Sequence, residues 1–337
     1  MNSPKRTILI RTVGDPRIGM GHVYRSLGLV KELETEFNVL LDINNIPQVR
    51  ALVEEQGVRY FADKSVVGVI ESEKVDLLLF DQLRDDDGLF EALKTRFPYL
   101  KIVALDYFNY DSEFIDVIIN LFNQNLQKSK PDKNCVRYYE GLEYAIIREE
   151  FQNYVSQAKR IAERVSSVLV SFGGVDAKGN TSKVLQLLEM AGFPDIKIEV
   201  ILGPLWTGEL PQVIAPNIHL HYSIPPSAMP SFMTEADLAF CGAGITMMEL
   251  LSLGTPAIVL PQNLLEERFA LSVEQKGAIK VIKDDAQHDD ISYICSLFTS
   301  PRERERLSYK GKSLVDGKGM ERIKRLIVVL FSEGVNS

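Results

Sequence analysis

Residues 18–25 read Ile-Gly-Met-Gly-His-Val-Tyr-Arg, and they set two glycines and a histidine between an apolar run and an amphipathic segment. The run before them, residues 5–11 (Lys-Arg-Thr-Ile-Leu-Ile-Arg), is short and β-branched, which suits a strand buried in a parallel sheet. Behind them Val23, Leu27, Val30 and Leu33 recur at spacings of three and four, with Leu29 alongside, while Lys31, Glu32 and Glu34 fall on the other side. That spacing predicts a helix with one face on a sheet. Gly19 and Gly21 then occupy the turn, where missing side chains let a ligand approach the backbone and the amides of the helix start. His22 sits at that start.

A dinucleotide fingerprint is the obvious rival. Gly19 and Gly21 fit its first two glycines, and Asp42, at the end of the next strand, falls near the ribose position. The third glycine is replaced by Tyr24, a phenol where helix and strand need close contact, so a Rossmann cofactor site is not expected. No cofactor is expected elsewhere either.

At 337 residues the chain is long for one ordinary domain and comfortable for two. Hydrophobic residues make up 45% and charged residues 25%, the balance of a globular protein rather than a disordered one. No apolar run reaches the roughly 20 residues of a membrane span, and the start of the sequence lacks the apolar core of a signal peptide, so a cytoplasmic location is expected. Cys135, Cys241 and Cys295 are widely spaced, without a CxxC pair, which points neither to a disulfide framework nor to zinc. No carboxylate cluster has metal-ligand spacing, and no metal is required. The net charge of −8, with no basic block interleaved with aromatics, argues against nucleic acid as a partner. A monomer or weak homodimer is expected.

Apolar strand candidates alternate with amphipathic helices throughout, the pattern of stacked βα units. The first half offers strands at 7–11, 38–42, 75–81, 101–105 and 117–120. The pattern restarts at 167–171, 197–202, 217–220, 238–241, 257–260 and 278–281. Residues 151–165, polar and free of glycine and proline, are expected to form a connecting helix, with the domain boundary near residue 160. The stretch 124–134 is polar enough to be a mobile loop.

Two more glycine-marked turns lie in the second half. Residues 172–180 (Phe-Gly-Gly-Val-Asp-Ala-Lys-Gly-Asn) separate a strand from a helix carrying Val184, Leu187 and Leu188 on one face, so Gly173 and Gly174 lie at a carboxyl edge. Later, 238–241 lead through Gly242-Ala243-Gly244 into a helix that ends at Gly254. Small residues at that helix start leave amides for a diphosphate, and Thr246 adds a hydroxyl. Glu249, about one turn on, is placed to accept hydrogen bonds from ribose hydroxyls. Each glycine alone is explained by turn chemistry. Three such turns at the strand ends where open α/β sheets bind ligands favour a ligand site.

These residues resemble a known family. Residues 18–25, Ser171-Phe-Gly-Gly-Val-Asp176, Cys241-Gly-Ala-Gly-Ile-Thr-Met-Met-Glu-Leu250 followed by Gly254-Thr-Pro256, Tyr144-Ala-Ile-Ile-Arg-Glu-Glu-Phe151 and Leu314-Val-Asp-Gly-Lys-Gly-Met-Glu-Arg-Ile323 are similar to the pseudaminic acid pathway hydrolase group. That group cleaves UDP from UDP-2,4-diacetamido-2,4,6-trideoxy-β-L-altropyranose, and it includes relatives named after spore coat polysaccharide synthesis. The resemblance implies two Rossmann-like α/β domains facing across a cleft, the glycosyltransferase B type also seen in the MurG transferase. It implies a sugar- or acceptor-side domain over 1–160 and a nucleotide-binding domain over 161–337. It makes His22 the catalytic base and puts UDP at Gly173, Gly174, Gly242, Ala243, Gly244, Thr246 and Glu249. Asn263 matches an asparagine near the sugar. Three positions depart from the family pattern. Arg11 is followed by Thr12 and Val13 rather than an aspartate two residues on; Asp81-Gln82-Leu83 lacks the tyrosine; and Asp106-Tyr107 replaces paired aspartates. All three fall on the sugar side, so a nucleotide sugar is the firmer expectation than that particular sugar.

A helix start disfavours a cation, which leaves the His22 imidazole able to accept a proton from water or from an acceptor hydroxyl. The activated oxygen would attack the anomeric carbon as UDP leaves, its charge held by turn amides. The bland alternative for His22 is capping or packing. His219, His221 and His288 lack such a setting and are expected to be structural or exposed. Asp81 and Asp106 end apolar runs and either face the ligand edge or cap a helix, and Asp176 in the glycine turn has the same two fates. Arg11 and Arg25 either hold a carboxylate, phosphate or sugar hydroxyl or pair with local acids. Tyr107 and Phe108 either line a sugar subsite or pack in the core. Three functions stay open: a hydrolase freeing UDP from a modified amino sugar, a glycosyltransferase using a UDP-sugar donor, and a nucleotide-sugar binding protein. An acidic chain with no basic amphipathic helix in its first half makes water the simplest acceptor, so the hydrolase leads.

Overall fold

The computed structural model of the chain describes residues 5–15, 19–82, 86–108, 112–122, 137–192, 195–204, 206, 208–210, 215–283 and 288–333. Ile18, Leu83, Cys135, the stretch 124–134 and the side chain of His288 lie outside the described part.

Every strand of the first sheet runs parallel: β1 (Thr7–Thr12), β2 (Asn38–Ile43), β3 (Tyr60–Ala62), β4 (Leu77–Asp81), β5 (Lys101–Leu105), β6 (Val117–Asn120) and β7 (Arg137–Glu140) stand in the order β3-β2-β1-β4-β5-β6-β7. The inner strands are near-continuous Val/Ile/Leu runs because helices cover both faces; Ile8, Leu9, Ile10 and Leu77 to Phe80 are wholly buried. The second sheet is built the same way from β8 (Ser167–Ser171), β9 (Lys197–Leu202), β10 (Ile218–Tyr222), β11 (Leu238–Cys241), β12 (Ala257–Val259) and β13 (Lys280–Val281), in the order β10-β9-β8-β11-β12-β13. In each sheet the order reverses at one point, between β1 and β4 and between β8 and β11. Open α/β sheets bind ligands beyond the strand ends at such points.

The strands read from apolar runs all form, within a residue or two. Two others gave no such signal. β3 is three residues long, and β7 (Arg-Tyr-Tyr-Glu) is an edge strand with charged ends.

The helix expected over 151–165 is shorter, Gln152–Val155 after a single turn at Glu149–Phe151. The rest is claimed by partners outside any helix ladder. Lys159 Nζ donates to Ala236 O at 2.6 Å and to Thr234 O, fully buried Arg304 donates to Ala162 O, and Val165 N donates to Phe298 O at 3.2 Å. Those groups hold the segment outside any helix, because a carbonyl or side chain committed to tertiary partners outweighs weak helix propensity.

The chain divides into two compact units, Met1–Ile146 together with Lys318–Ser337, and Ile147–Gly317. A single boundary near residue 160 therefore differs from the observed division twice: the crossing comes earlier, and the last helix, Gly319–Glu333, returns to the first unit. Apolar and charged contacts explain the return. Phe331 packs on Phe37 at 5.7 Å and under the Arg6 guanidinium at 4.4 Å, and Lys324 pairs with Glu32. A Cβ at Gly28 would lie 3.3 Å from Met320 Sδ, so a glycine at that place in helix Gly21–Leu33 lets the two helices approach.

Candidate functional site

Helix Gly21–Leu33 begins with no side-chain cap, and its residues at i, i+3 and i+4 bring His22, Arg25 and Ser26 onto one face. That face meets the carboxyl end of β4, where Asp81 is fully buried. His22 Nδ1 lies 2.8 Å from Asp81 Oδ1, and Ser26 Oγ donates to Asp81 Oδ2 at 3.0 Å. Arg25 Nε reaches both Asp81 oxygens, at 3.0 and 2.9 Å, its Nη2 also donates to Oδ1, and its Nη1 donates to Asp106 Oδ2 at 2.6 Å. Asp106 has φ of 50°, in the left-handed region that ordinary residues rarely adopt, and that backbone turns its carboxylate toward Arg25.

Burial pushes the Asp81 carboxyl up, but the Arg25 charge and the hydrogen bonds from Arg25 and His22 outweigh it and hold the group well below the usual carboxylate range. Burial likewise opposes the Arg25 charge, and Asp81 and Asp106 more than restore it. Arg25 Nη2 also lies 3.0 Å from His22 Nδ1. A guanidinium only donates and a carboxylate only accepts. Since Nη2 already has Asp81 Oδ1 as a nearer acceptor, we assign the Nδ1 proton to the hydrogen bond with Asp81. That leaves the lone pair on Nε2, the arrangement in which a histidine acts as a base.

Arg11, expected on the sugar side, instead pairs with Asp42 at 2.9 Å on the neighbouring strand. Tyr107 belongs to the core, packed among Phe80 and Phe90 and 2% exposed. Gly19 bridges to Asp15, N to O at 2.8 Å, and Gly21 is the first helical residue. Gly14 went unnoticed in the sequence, yet a Cβ there would fall 2.9 Å from Val23 Cγ2, so its missing side chain leaves room for the first turn of helix Gly21–Leu33.

In the second unit the two glycine turns lie side by side at the β8/β11 switch point: a Cβ on Gly173, whose φ is 73°, would sit 3.9 Å from Thr246 Oγ1. The neighbouring turn after β9 presses on them, with a Cβ on Gly203 only 2.2 Å from Gly173 O and 2.6 Å from Gly174 Cα. Helix Ile245–Leu253 starts at exposed Gly244 without a side-chain cap. Ala243 N, however, already donates to Glu266 Oε2 at 3.2 Å. Glu249 is 1% exposed and forked to Arg148, Nε to Oε1 at 2.5 Å and Nη2 to Oε2 at 3.0 Å. Burial pushes its carboxyl up, with Arg148 opposing. Asn263 caps helix Leu264–Gln275, its Oδ1 accepting from Glu266 N at 2.9 Å. Asp176 has the capping fate, accepting from Asn180 N at 2.8 Å and Thr181 N at 2.9 Å. His221 pairs with Glu199 at 2.7 Å and meets the Phe232 ring edge-on. Among the described residues no His, Cys, Asp or Glu group could hold a metal ion, and no helix is long and apolar enough to cross a membrane.

No protein-family profile matches the chain. It is similar to an uncharacterized protein of Methanocaldococcus jannaschii, 29% identical over 312 residues that cover 84% of this chain and 63% of that protein, so it spans less than two thirds of that relative's length. It is similar to the spore coat polysaccharide biosynthesis protein SpsG of Bacillus subtilis, 26% identical over 94% of this chain and 96% of that one. A further relative is the UDP-N-acetylglucosamine–N-acetylmuramyl-(pentapeptide) pyrophosphoryl-undecaprenol N-acetylglucosamine transferase of Alkaliphilus metalliredigens, 28% identical over 51% of this chain and 52% of that one. Among solved structures, MurG of Acinetobacter baumannii superposes with a TM-score of 0.65 over 96% of this chain and 99% of that one, at 14% identity. Two parallel α/β units with that full-length likeness give the chain the glycosyltransferase B fold.

Proposed function

We propose that the chain is a glycosyltransferase that takes its sugar from a UDP-sugar and serves polysaccharide biosynthesis. The observation that carries this reading is the buried His22–Asp81 pair at the switch point of the first sheet, held by Arg25 and Ser26. Similarity to a spore coat polysaccharide protein and to an N-acetylglucosamine transferase supplies the sugar chemistry. In this mechanism His22 Nε2 takes the proton of an acceptor hydroxyl as its oxygen bonds to the anomeric carbon, and Asp81 stabilises the imidazolium that forms. The bond from that carbon to the UDP oxygen breaks. Amides of the glycine turns at 173–174 and 242–244, with Thr246, receive the diphosphate charge, and Glu249 is assigned to the ribose.

The same base would serve water, and the resemblance around His22 to UDP-sugar hydrolases makes hydrolysis the second reading. Incubation with a panel of UDP-sugars, with and without a saccharide or lipid acceptor, separates the two by measuring UDP, free sugar and conjugate. UDP release that needs acceptor supports transfer; equal release with donor alone, accompanied by free sugar, establishes hydrolysis. His22→Asn should lower turnover by roughly 100-fold or more and leave UDP affinity within a few fold. Loss of UDP binding in a folded His22→Asn protein would refute the role of base.

A further inference from the structure

Gln262 and Glu266 stand where the turns of the second unit meet. Glu266 Oε2 accepts from Ala243 N at 3.2 Å and from Gln262 N at 2.9 Å, and its Oε1 lies 3.3 Å from Asn263 Nδ2. Gln262 in turn accepts from Ala177 N at 2.7 Å and donates to Phe172 O at 3.3 Å, tying the turn after β8 to the same carboxylate. Ser171, the register partner of Cys241, is 2% exposed, and its hydroxyl has no hydrogen-bond partner among the described residues. The Ala243 and Gln262 amides thus converge on one carboxylate.

We propose that Glu266 is an internal anion that competes with the phosphate of a ligand for the Ala243 amide. The proposal rests on the reading that the second unit binds a nucleoside diphosphate, and it deepens that reading by making binding proton-coupled. An ionised Glu266 repels an incoming phosphate. When it takes up one proton from solvent, one oxygen remains an acceptor for a backbone amide and the other becomes a donor toward a phosphate oxygen.

The charged surroundings set the direction. Burial pushes the Glu266 carboxyl up, while the Gln262 and Ala243 amides, Lys178 from the β8 turn and Asn263 pull it down by less. Cys241 at the end of β11 faces the group as a neutral thiol, since burial and then Glu266 itself push its ionisation up. On the same helix Glu267 is paired with Lys283 at 2.7 Å, and Asp176 is spent on the Asn180 and Thr181 amides. With the Glu266 carboxyl raised, binding should strengthen as pH falls.

The test is calorimetric titration with UDP and with inorganic pyrophosphate across about pH 5 to 8, on the full chain and on Glu266→Gln. Glutamine keeps an acceptor for the two amides and imitates the protonated acid. The ligand's own titration is common to both proteins and cancels in the ratio of their dissociation constants. That ratio, wild type over variant, should be lowest at the acid end of the range and rise toward the alkaline end, because only the wild type acquires there a charge that repels phosphate. A flat ratio with UDP bound overturns the proposal and leaves the nucleotide reading standing. If neither probe binds, both fall. A rising ratio with pyrophosphate but no tighter binding of UDP supports the Glu266 role and removes uridine from the reading. Should Glu266→Gln fail to fold, Lys178→Ala serves instead: loss of that cation should move the midpoint of the binding curve to higher pH, and an unmoved midpoint overturns the proposal.

Discussion

Replacing Asp81 by asparagine should damage both turnover and folding, by amounts the geometry separates. The carboxylate holds the Nδ1 proton of His22, and a carboxamide in its place can turn its NH2 toward Nδ1, which moves the ring proton to Nε2 and removes the base. Loss of the orienting carboxylate should cost roughly 10³ to 10⁴ in turnover, about 4 to 5.5 kcal/mol of barrier. Folding suffers separately, because Arg25 is 8% exposed and, among the described residues, would keep only Asp106 as an anionic partner. Breaking a buried pair from one side costs about 3 to 5 kcal/mol, within the roughly 5 to 15 kcal/mol that holds a domain together. The variant should therefore melt well below the wild type yet fold in the cold. Turnover, UDP titration and circular dichroism should be measured on one preparation below its melting point. Folded Asp81→Asn protein that turns over within tenfold of wild type would refute the dyad. The same carboxylate predicts acid sensitivity. Its folded-state ionisation lies below the ordinary 3.8, so its stabilisation is present above about pH 4 and is lost as pH falls toward the lowered value. Asp81→Asn should flatten that part of the stability curve.

Two further outcomes follow from pairings seen in the second unit. Asn263→Ala should lower stability by about 1 kcal/mol, the worth of a helix cap, and leave sugar-dependent turnover within a few fold; a large turnover loss in a normally stable variant would restore the asparagine to the sugar site. Glu249→Ala and Arg148→Met break the same buried fork and should destabilise alike, by about 3 to 5 kcal/mol, but only Glu249→Ala should weaken UDP binding by roughly tenfold or more. Equal affinity losses would reduce Glu249 to a partner of Arg148.

Much of the architecture was legible because buried parallel strands are written as apolar runs and their helices as three-four spacings. β1 and helix Gly21–Leu33 could be read from consecutive residues alone. The site was legible only as separate candidates. His22, Arg25 and Asp81 each drew notice, but Asp81 lies 59 residues from His22 and 56 from Arg25, and only the β1–β4 pairing joins them. A polar trio at i, i+3 and i+4 on an otherwise apolar helix face was the available hint. Arg11 misled because a charged residue at a strand end looks the same whether it meets a ligand or the next strand's Asp42. Asn263 followed three residues later by Glu266 is a capping pattern that the sequence did offer. The helix expected after residue 151 failed for a reason local spacing cannot carry: Arg304, far along the chain, takes the Ala162 carbonyl.

The return of helix Gly319–Glu333 to the first unit bears on how this protein is made. On a ribosome the strands of the first sheet emerge early, but Phe331 and Lys324, which cover Phe37 and pair with Glu32, are synthesised only after the whole of Ile147–Gly317. The helix that carries His22 must wait, with Gly28 and its neighbours uncovered, while the whole of Ile147–Gly317 is translated. An amino-terminal fragment ending at the first crossing would expose that surface permanently. A nascent chain exposes it for the time it takes to add the residues from Ile147 to Phe331, about 10 to 40 seconds at ordinary elongation rates.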